Sequence, residues 1–324
     1  MRIARWTGPG RDTGEGFVVG DRLVPFPDGL TVTQVLAQGL PAARALHARV
    51  RAADGVPIEA CRLLPPVVPA SIRDFVAFEE HVEGVSAAVD GRSEVVPEWY
   101  ELPTFYFTNP HTVRATGDVV AIPETARLDF ELELAAVIGG VAGSSGENLD
   151  VDAAAAHIFG YTVMNDWSAR DLQSREMKVR LGPAKGKDFG LTLGPWIVTA
   201  DELEDRIDEA GFLALRAEVS VNGARIGQDL VSNMGWPFPE LVAYAARNSV
   251  VRPGDVLGSG TVGNGGCLAE LWGRTGQMTP PPLEPGDEVR MTIEGVGEIV
   301  NIVGERVAAP PIPPARPRPR RREA

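Results

Sequence analysis

Apolar and polar positions alternate by two through FVVGDRLVPF, residues 17–26, and again through LDFELEL, residues 128–134. That is the period of strands with one buried face. Between them TVTQVLAQGLPAARALHARVRAA, residues 31–53, has helical spacing interrupted at Pro41. PPVVP at 65–69 reads as an extended linker, and SIRDFVAFEEHVEGV after it predicts a helix opening with Ser71 as N-cap. From 102 to 307 short apolar runs are punctuated by turns, with Gly-Asp placed just before a strand in TGDVV, RPGDVL and EPGDEV. Helical inserts are expected at 151–158, 166–178 and 238–247. The pattern predicts an α+β, β-rich fold without the regular strand-helix alternation of a doubly wound sheet. It divides the chain into a small N-terminal domain at 1–65, a main domain at 66–307 and a disordered tail at 308–324, where six prolines oppose regular structure.

The chain has 324 residues, 44% of them hydrophobic, enough for a large core with a small accessory module. No apolar run approaches about eighteen residues, and the start MRIARWTGPG lacks the apolar stretch of a signal peptide, so a cytoplasmic protein with no membrane partner is expected. The net charge is −13, and the tail contributes five arginines, so the body is more acidic still. Such a surface repels phosphates, which disfavours nucleic acid and favours small molecules or metal cations. Cys61 and Cys267 are too few for a disulfide framework or a cysteine zinc site, consistent with a reducing compartment.

Of four histidines, His47 and His157 sit in alanine-rich helical stretches and His111 in a loop, positions typical of surface or packing roles. His81 follows Asp74 by seven positions, two helical turns, so both can project from one helix face; a solvated acidic helix end with Glu79, Glu80 and Glu83 is the alternative. In LDFELEL, Asp129, Glu131 and Glu133 share one strand face. Either that face is exposed, or its carboxylates converge on a hard divalent cation that offsets their repulsion. In MNDWSARDLQSREMKVRLGPAKGKDFG a helix starting near Asp166 would align Asp166, Arg170 and Gln173, while Lys185 and Lys187 lie in a glycine-containing loop suited to an anion. GSGTVGNGGCLAEL at 258–271 matches a dinucleotide fingerprint only formally; a tight loop exposing Thr261 and backbone N–H groups, with Glu270 at its far end, is the better reading.

Taken together, RDFVAFEEH, LDFELELA, NDWSARDLQ, GPAKGKDFG with LGPW after it, and GSGTV with a later Glu-Leu resemble the fumarylacetoacetate hydrolase family in order and spacing over 71–275. The resemblance implies a mixed β-roll core, a small N-terminal domain packed on it and a homodimer. It implies cleavage of a carbon–carbon bond in an acylpyruvate or related diketo acid, with Mg2+, Mn2+ or Ca2+ stabilising the enolate. By the same resemblance Asp74, Glu131, Glu133 and Asp166 are metal ligands, His81 the water-activating base oriented by Glu270, and Lys187 the oxyanion group. Tyr106, Arg170, Gln173 and Thr261 match substrate contacts. Val76 and Met177 stand where fumarylacetoacetate-cleaving members have tyrosines. A decarboxylase, hydratase or isomerase could use the same centre, and a non-catalytic ligand-binding relative is the remaining alternative.

Overall fold

The computed structural model describes residues 1–90 and 93–318. The largest sheet has twelve strands. Its centre is the strand Leu132–Ile138, buried at every position, flanked by Ile158–Asp166 and Val256–Gly258. Period two explains the double burial. Leu132, Leu134, Ala136 and Ile138 join the core shared with a second, five-stranded sheet through Ala217, Val219, Met291 and Ile299. Ala135 and Val137 on the other face pack with Val32, Val35, Leu36 and Leu46 of the amino-terminal helices. Each fully buried aliphatic side chain contributes roughly 1.5–3 kcal/mol, so a strand with two apolar faces anchors the fold.

Those helices are α1 (Val32–Gln38) and α2 (Leu40–Val50). Gly39, at φ 83, makes the break between them and Pro41 occupies the first turn of α2, where its missing N–H costs nothing. The strand Arg2–Thr7 pairs Arg2 with Val198 and Ile3 with Ile197, so the first 65 residues extend the same large sheet.

The helix predicted from Ser71 is corrected. Ile72–Phe75 is a strand, buried at all four positions and pairing with Val256–Gly258 and Phe105–Thr108; α3 begins only at Glu79 and runs to Asp90. Two-sided burial in a sheet overrides the helical spacing, and Asp74 and His81 are not on one helix. The same correction applies further on: Asp166 ends the strand Ile158–Asp166, and α5 (Arg170–Met177) starts four residues later. The inserts at 151–158 and 238–247 are α4 (Val151–Ala156) and α6 (Phe238–Ala246), and α7 spans Leu268–Thr275. Residues 308–318 are exposed and without helix or strand; the remainder of the tail, 319–324, lies outside the described residues.

Candidate active site

Sheet order assembles the carboxylates. Asp74 comes from Ile72–Phe75, Glu131 and Glu133 from the entry of the central strand, and Asp166 from the end of the next. Register places Gly258 beside Asp74 on one side and Ala135 on the other. A Cβ at Gly258 would lie 2.7 Å from both Asp74 Oδ1 and Glu133 Oε2, so the cradle requires glycine. One oxygen from each of Asp74, Glu131, Glu133 and Asp166 falls within 4.8 Å of the others, all four residues being buried.

Asp74 Oδ1, Glu133 Oε1 and Asp166 Oδ1 are buried and have no hydrogen-bond partner among the described residues. An unpartnered buried carboxylate oxygen is costly, and four carboxylates brought this close together call for a cation. Burial, reinforced by mutual repulsion, pushes Asp74 and Glu133 well above the usual carboxylate range, and Asp166 is raised as well. Four converging oxygen donors without sulfur or imidazole fit a hard divalent ion.

Glu131 is held on the opposite side of its ordinary value. Burial would raise it, but Lys187, Arg170 and His81 pull it below the usual range. Lys187 Nζ donates to Glu131 Oε2 and, at 2.6 Å, to Asp166 Oδ2. The Tyr106 hydroxyl donates to the same Asp166 oxygen at 2.5 Å.

Asp129 does not join this cluster. The ribbon strand Leu128–Asp129 and the central strand are separate, so the alternation through LDFELEL is broken before Leu132. Asp129 instead accepts from Leu268 N and Ala269 N at 2.8 and 3.0 Å, satisfying the first amides of α7, and pairs with Arg170 Nε at 2.8 Å. Arg170 also lies 2.8 Å from Glu131 and donates from Nη1 to Gln173 Oε1 at 3.1 Å.

His81 sits in the first turn of α3, its Nε2 3.9 Å from Glu131 Oε1. Its Nδ1 faces Glu270 Oε2 at 3.9 Å, too long for a hydrogen bond, and Cys267 Sγ at 3.7 Å. Gly84 permits this approach of α3 to α7: a Cβ there would come 2.5 Å from Glu270 Cγ. Glu270 Oε1 accepts from Gly265 N at 3.0 Å and pairs with Arg274 at 2.7 Å, while Oε2 has no partner. Burial lowers His81 to about 4 and raises Glu270 to about 7. The imidazole is therefore neutral near pH 7. Cys267, whose thiol burial pushes upward, caps α7 by accepting from Glu270 N at 3.4 Å. Sequence reasoning missed Cys267 because its neighbour His81 is 186 positions away.

A cavity of about 270 Å³ opens onto this centre. Asp74, Glu131, Glu133, His81 and Lys187 line it together with Tyr106, Gln173 and Thr261. Phe75, Val76, Phe105, Met177 and Pro183 supply the apolar lining, with Thr104 beside them. Asp166, Arg170 and Glu270 are not among the lining residues; each acts from behind a residue that is. A larger hollow of about 470 Å³, lined by Leu102, Trp236 and Tyr244, shares no residue with this centre.

The fold and site define a β-rich α+β protein with four converging buried carboxylates and a neutral buried histidine. Residues 70–304 match the family model described as fumarylacetoacetate (FAA) hydrolase, C-terminal. The chain is 32% identical to the fumarylacetoacetase of Arabidopsis thaliana over 306 residues, 77% of this chain and 72% of that protein. It is 33% identical to the oxaloacetate tautomerase YisK of Bacillus subtilis (strain 168) over 210 residues, 63% of this chain and 62% of that one. Among solved structures, the maleylpyruvate hydrolase of Sphingobium sp. SYK-6 superposes with a TM-score of 0.68 at 20% identity, covering 94% of this chain and all of that one. The 5-carboxymethyl-2-hydroxymuconate delta-isomerase of Mycobacterium smegmatis gives 0.66 at 23%, with the same coverage. The chain belongs to the fumarylacetoacetate hydrolase family.

Proposed function

We propose that this protein is a divalent-metal-dependent hydrolase that cleaves a carbon–carbon bond in an acylpyruvate or related diketo acid. The observation carrying this reading is the cluster of four converging buried carboxylates, three with an oxygen left unpartnered among the described residues, at a cavity also lined by a neutral histidine. Asp74, Glu131, Glu133 and Asp166 would hold Mg2+, with Mn2+ or Ca2+ as substitutes. Bound there, the ion supplies Lewis acidity for neighbouring oxygens of a 2-oxo acid.

His81 Nδ1 is directed at Glu270 and Cys267, which leaves Nε2 as the atom that takes a proton from water. Lys187 faces the developing oxyanion. Arg170 Nη1 occupies the carbonyl of Gln173 and so turns the Gln173 amide N–H groups toward substrate. Arg170 is thereby a support for a substrate contact, where the family resemblance implied a contact of its own. Tyr106 and Thr261 complete the polar wall. We place this catalytic unit at 66–307 and read the protein as a cytoplasmic homodimer, a location supported by its two unpaired cysteines.

The similarity to a tautomerase supports a second reading, in which His81 only shuttles a proton. Turnover of acetylpyruvate, fumarylpyruvate and fumarylacetoacetate in ¹⁸O-labelled water decides between them. Hydrolysis places the label in a product carboxylate, and turnover without incorporation refutes it. The apolar wall of Val76 and Met177 favours acetylpyruvate, since a second carboxylate buried against it would lack donors.

A further inference from the structure

Lys187 reaches the cluster from residues 178–190, a segment with no helix or strand. Asn109 Nδ2 and Thr112 Oγ1 donate to Asp188 O beyond Lys187, and the turn just before Lys187 is held by a side chain near the end of α5. The Glu176 carboxylate accepts from three consecutive backbone N–H groups: Ala184 at 2.8 Å and Gly186 at 3.1 Å on Oε2, and Lys185 at 2.6 Å on Oε1. Three successive amides on one anion form a nest, here closed by a carboxylate of the same chain. The pinned residues immediately precede Lys187, and the Lys187 and Asp188 amides return to Ala184 O at 3.0 and 2.9 Å. On its other side the segment touches the helix directly: a Cβ at Gly186 would lie 2.7 Å from Gln173 N. Gly186 O also accepts from Ala169 N, just ahead of α5, at 2.8 Å. Helix and segment thus meet as one body carrying Gln173 and Lys187 to the same cavity.

We propose that Glu176 is a positioning residue for Lys187, setting where the ammonium stands relative to the reacting oxygen although Glu176 itself does not line the cavity. This rests on the reading of Lys187 as the oxyanion group. Charge-assisted bonds are strong and directional. Gln at 176 keeps one acceptor oxygen but turns an amide donor toward N–H groups that need an acceptor, so the segment shifts without losing its bulk.

The test compares wild type, Glu176→Gln, Lys187→Met and the double variant at saturating Mn2+, with the best substrate of the panel above and with melting temperatures measured alongside. Glu176→Gln is expected to lower kcat by roughly tenfold to a hundredfold with KM little changed, the scale on which small misplacements act. In the Lys187→Met background the same substitution should cost almost nothing, because the group it positions is gone. Multiplicative losses, or a Glu176→Gln protein as fast as wild type beside a slow Lys187→Met, overturn the positioning role alone. A Lys187→Met protein as fast as wild type overturns the oxyanion reading and this proposal with it. If Glu176→Gln does not fold, Gly186→Ala displaces the segment from the Gln173 side and must show the same loss, again cancelled by Lys187→Met.

Discussion

Asp129 and Glu133 are four residues apart, both fully buried and both acidic, yet they do opposite things. Asp129 is surrounded by donors: Arg170 Nε and the amides of Phe130, Leu268 and Ala269. Glu133 shares its surroundings with Asp74 and keeps Oε1 without a partner. Burial alone therefore does not mark a site. A buried carboxylate whose hydrogen bonds are complete holds the fold together, and one whose bonds are left open is waiting for a ligand.

The largest expected effect falls on the open side of that contrast. Exhaustive chelation should abolish turnover and added Mn2+ or Mg2+ restore it; full activity after dialysis against EDTA would break the distinction. Next in size is the histidine beside the cluster: His81→Ala should reduce kcat by roughly 10² to 10⁴ with substrate binding retained, as for loss of a general base. Glu270→Gln should fall in the same range and the double variant lose little more, whereas fully multiplicative losses would mean that the two residues do separate jobs.

Stability should sort the two acids the other way. Asp129→Ala removes the first-turn partners of α7 and leaves Arg170 with one fewer counter-charge, a cost of about 3–5 kcal/mol that a denaturation curve would register. Glu133→Gln relieves repulsion and should leave the metal-free protein as stable as before or more so. Equal destabilisation by both would erase the comparison.

Proton linkage offers a finer reading. In the metal-free protein Asp74 and Glu133 titrate well above their ordinary 3.8 and 4.5, so the native state holds protons that the unfolded chain has lost. Their contribution to stability is complete below the ordinary values and is lost as pH rises through the raised ones. Glu131 and His81 act in the opposite sense, but only below about pH 6.5, where unfolded histidine protonates. Where those carboxylates lose their protons the melting temperature of EDTA-treated protein should therefore decline, and the stabilisation by Mn2+ should grow with rising pH. A metal effect that shrinks with rising pH contradicts this. The smallest expected effect is none at all: removing residues 308–324 should leave melting temperature and rate unchanged, and a loss of either would mean that the arginine-rich tail docks on the acidic body.

The β-rich character, the paired acids Glu131 and Glu133 and the break between the first two helices were legible in local patterns, because each depends on neighbours along the chain. Asp74, Glu270 and Lys187 stood out locally as candidates, but their roles were reached only through the order of several motifs, since their partners are distant in sequence. Local spacing misled where the sheet intervened: Ile72–Phe75 and Asp166 had helical neighbours but lie in strands buried on both faces. Cys267 beside His81 and Glu176 beneath Lys187 left no local signal. Their importance lies in contacts to a side chain 186 positions away and to backbone amides that carry no residue identity.

The central claim is that the four converging carboxylates form one divalent-cation site. Calorimetric titration of EDTA-treated protein with Mn2+ tests it most directly, with Glu133→Gln as the altered site and Glu298→Gln, on the five-stranded sheet, as an acid replaced outside it. One site per chain is predicted, weakened at least about tenfold by Glu133→Gln, a change of about 1.4 kcal/mol, and little altered by Glu298→Gln. No saturable binding, or equal affinity in wild type and Glu133→Gln, would contradict it.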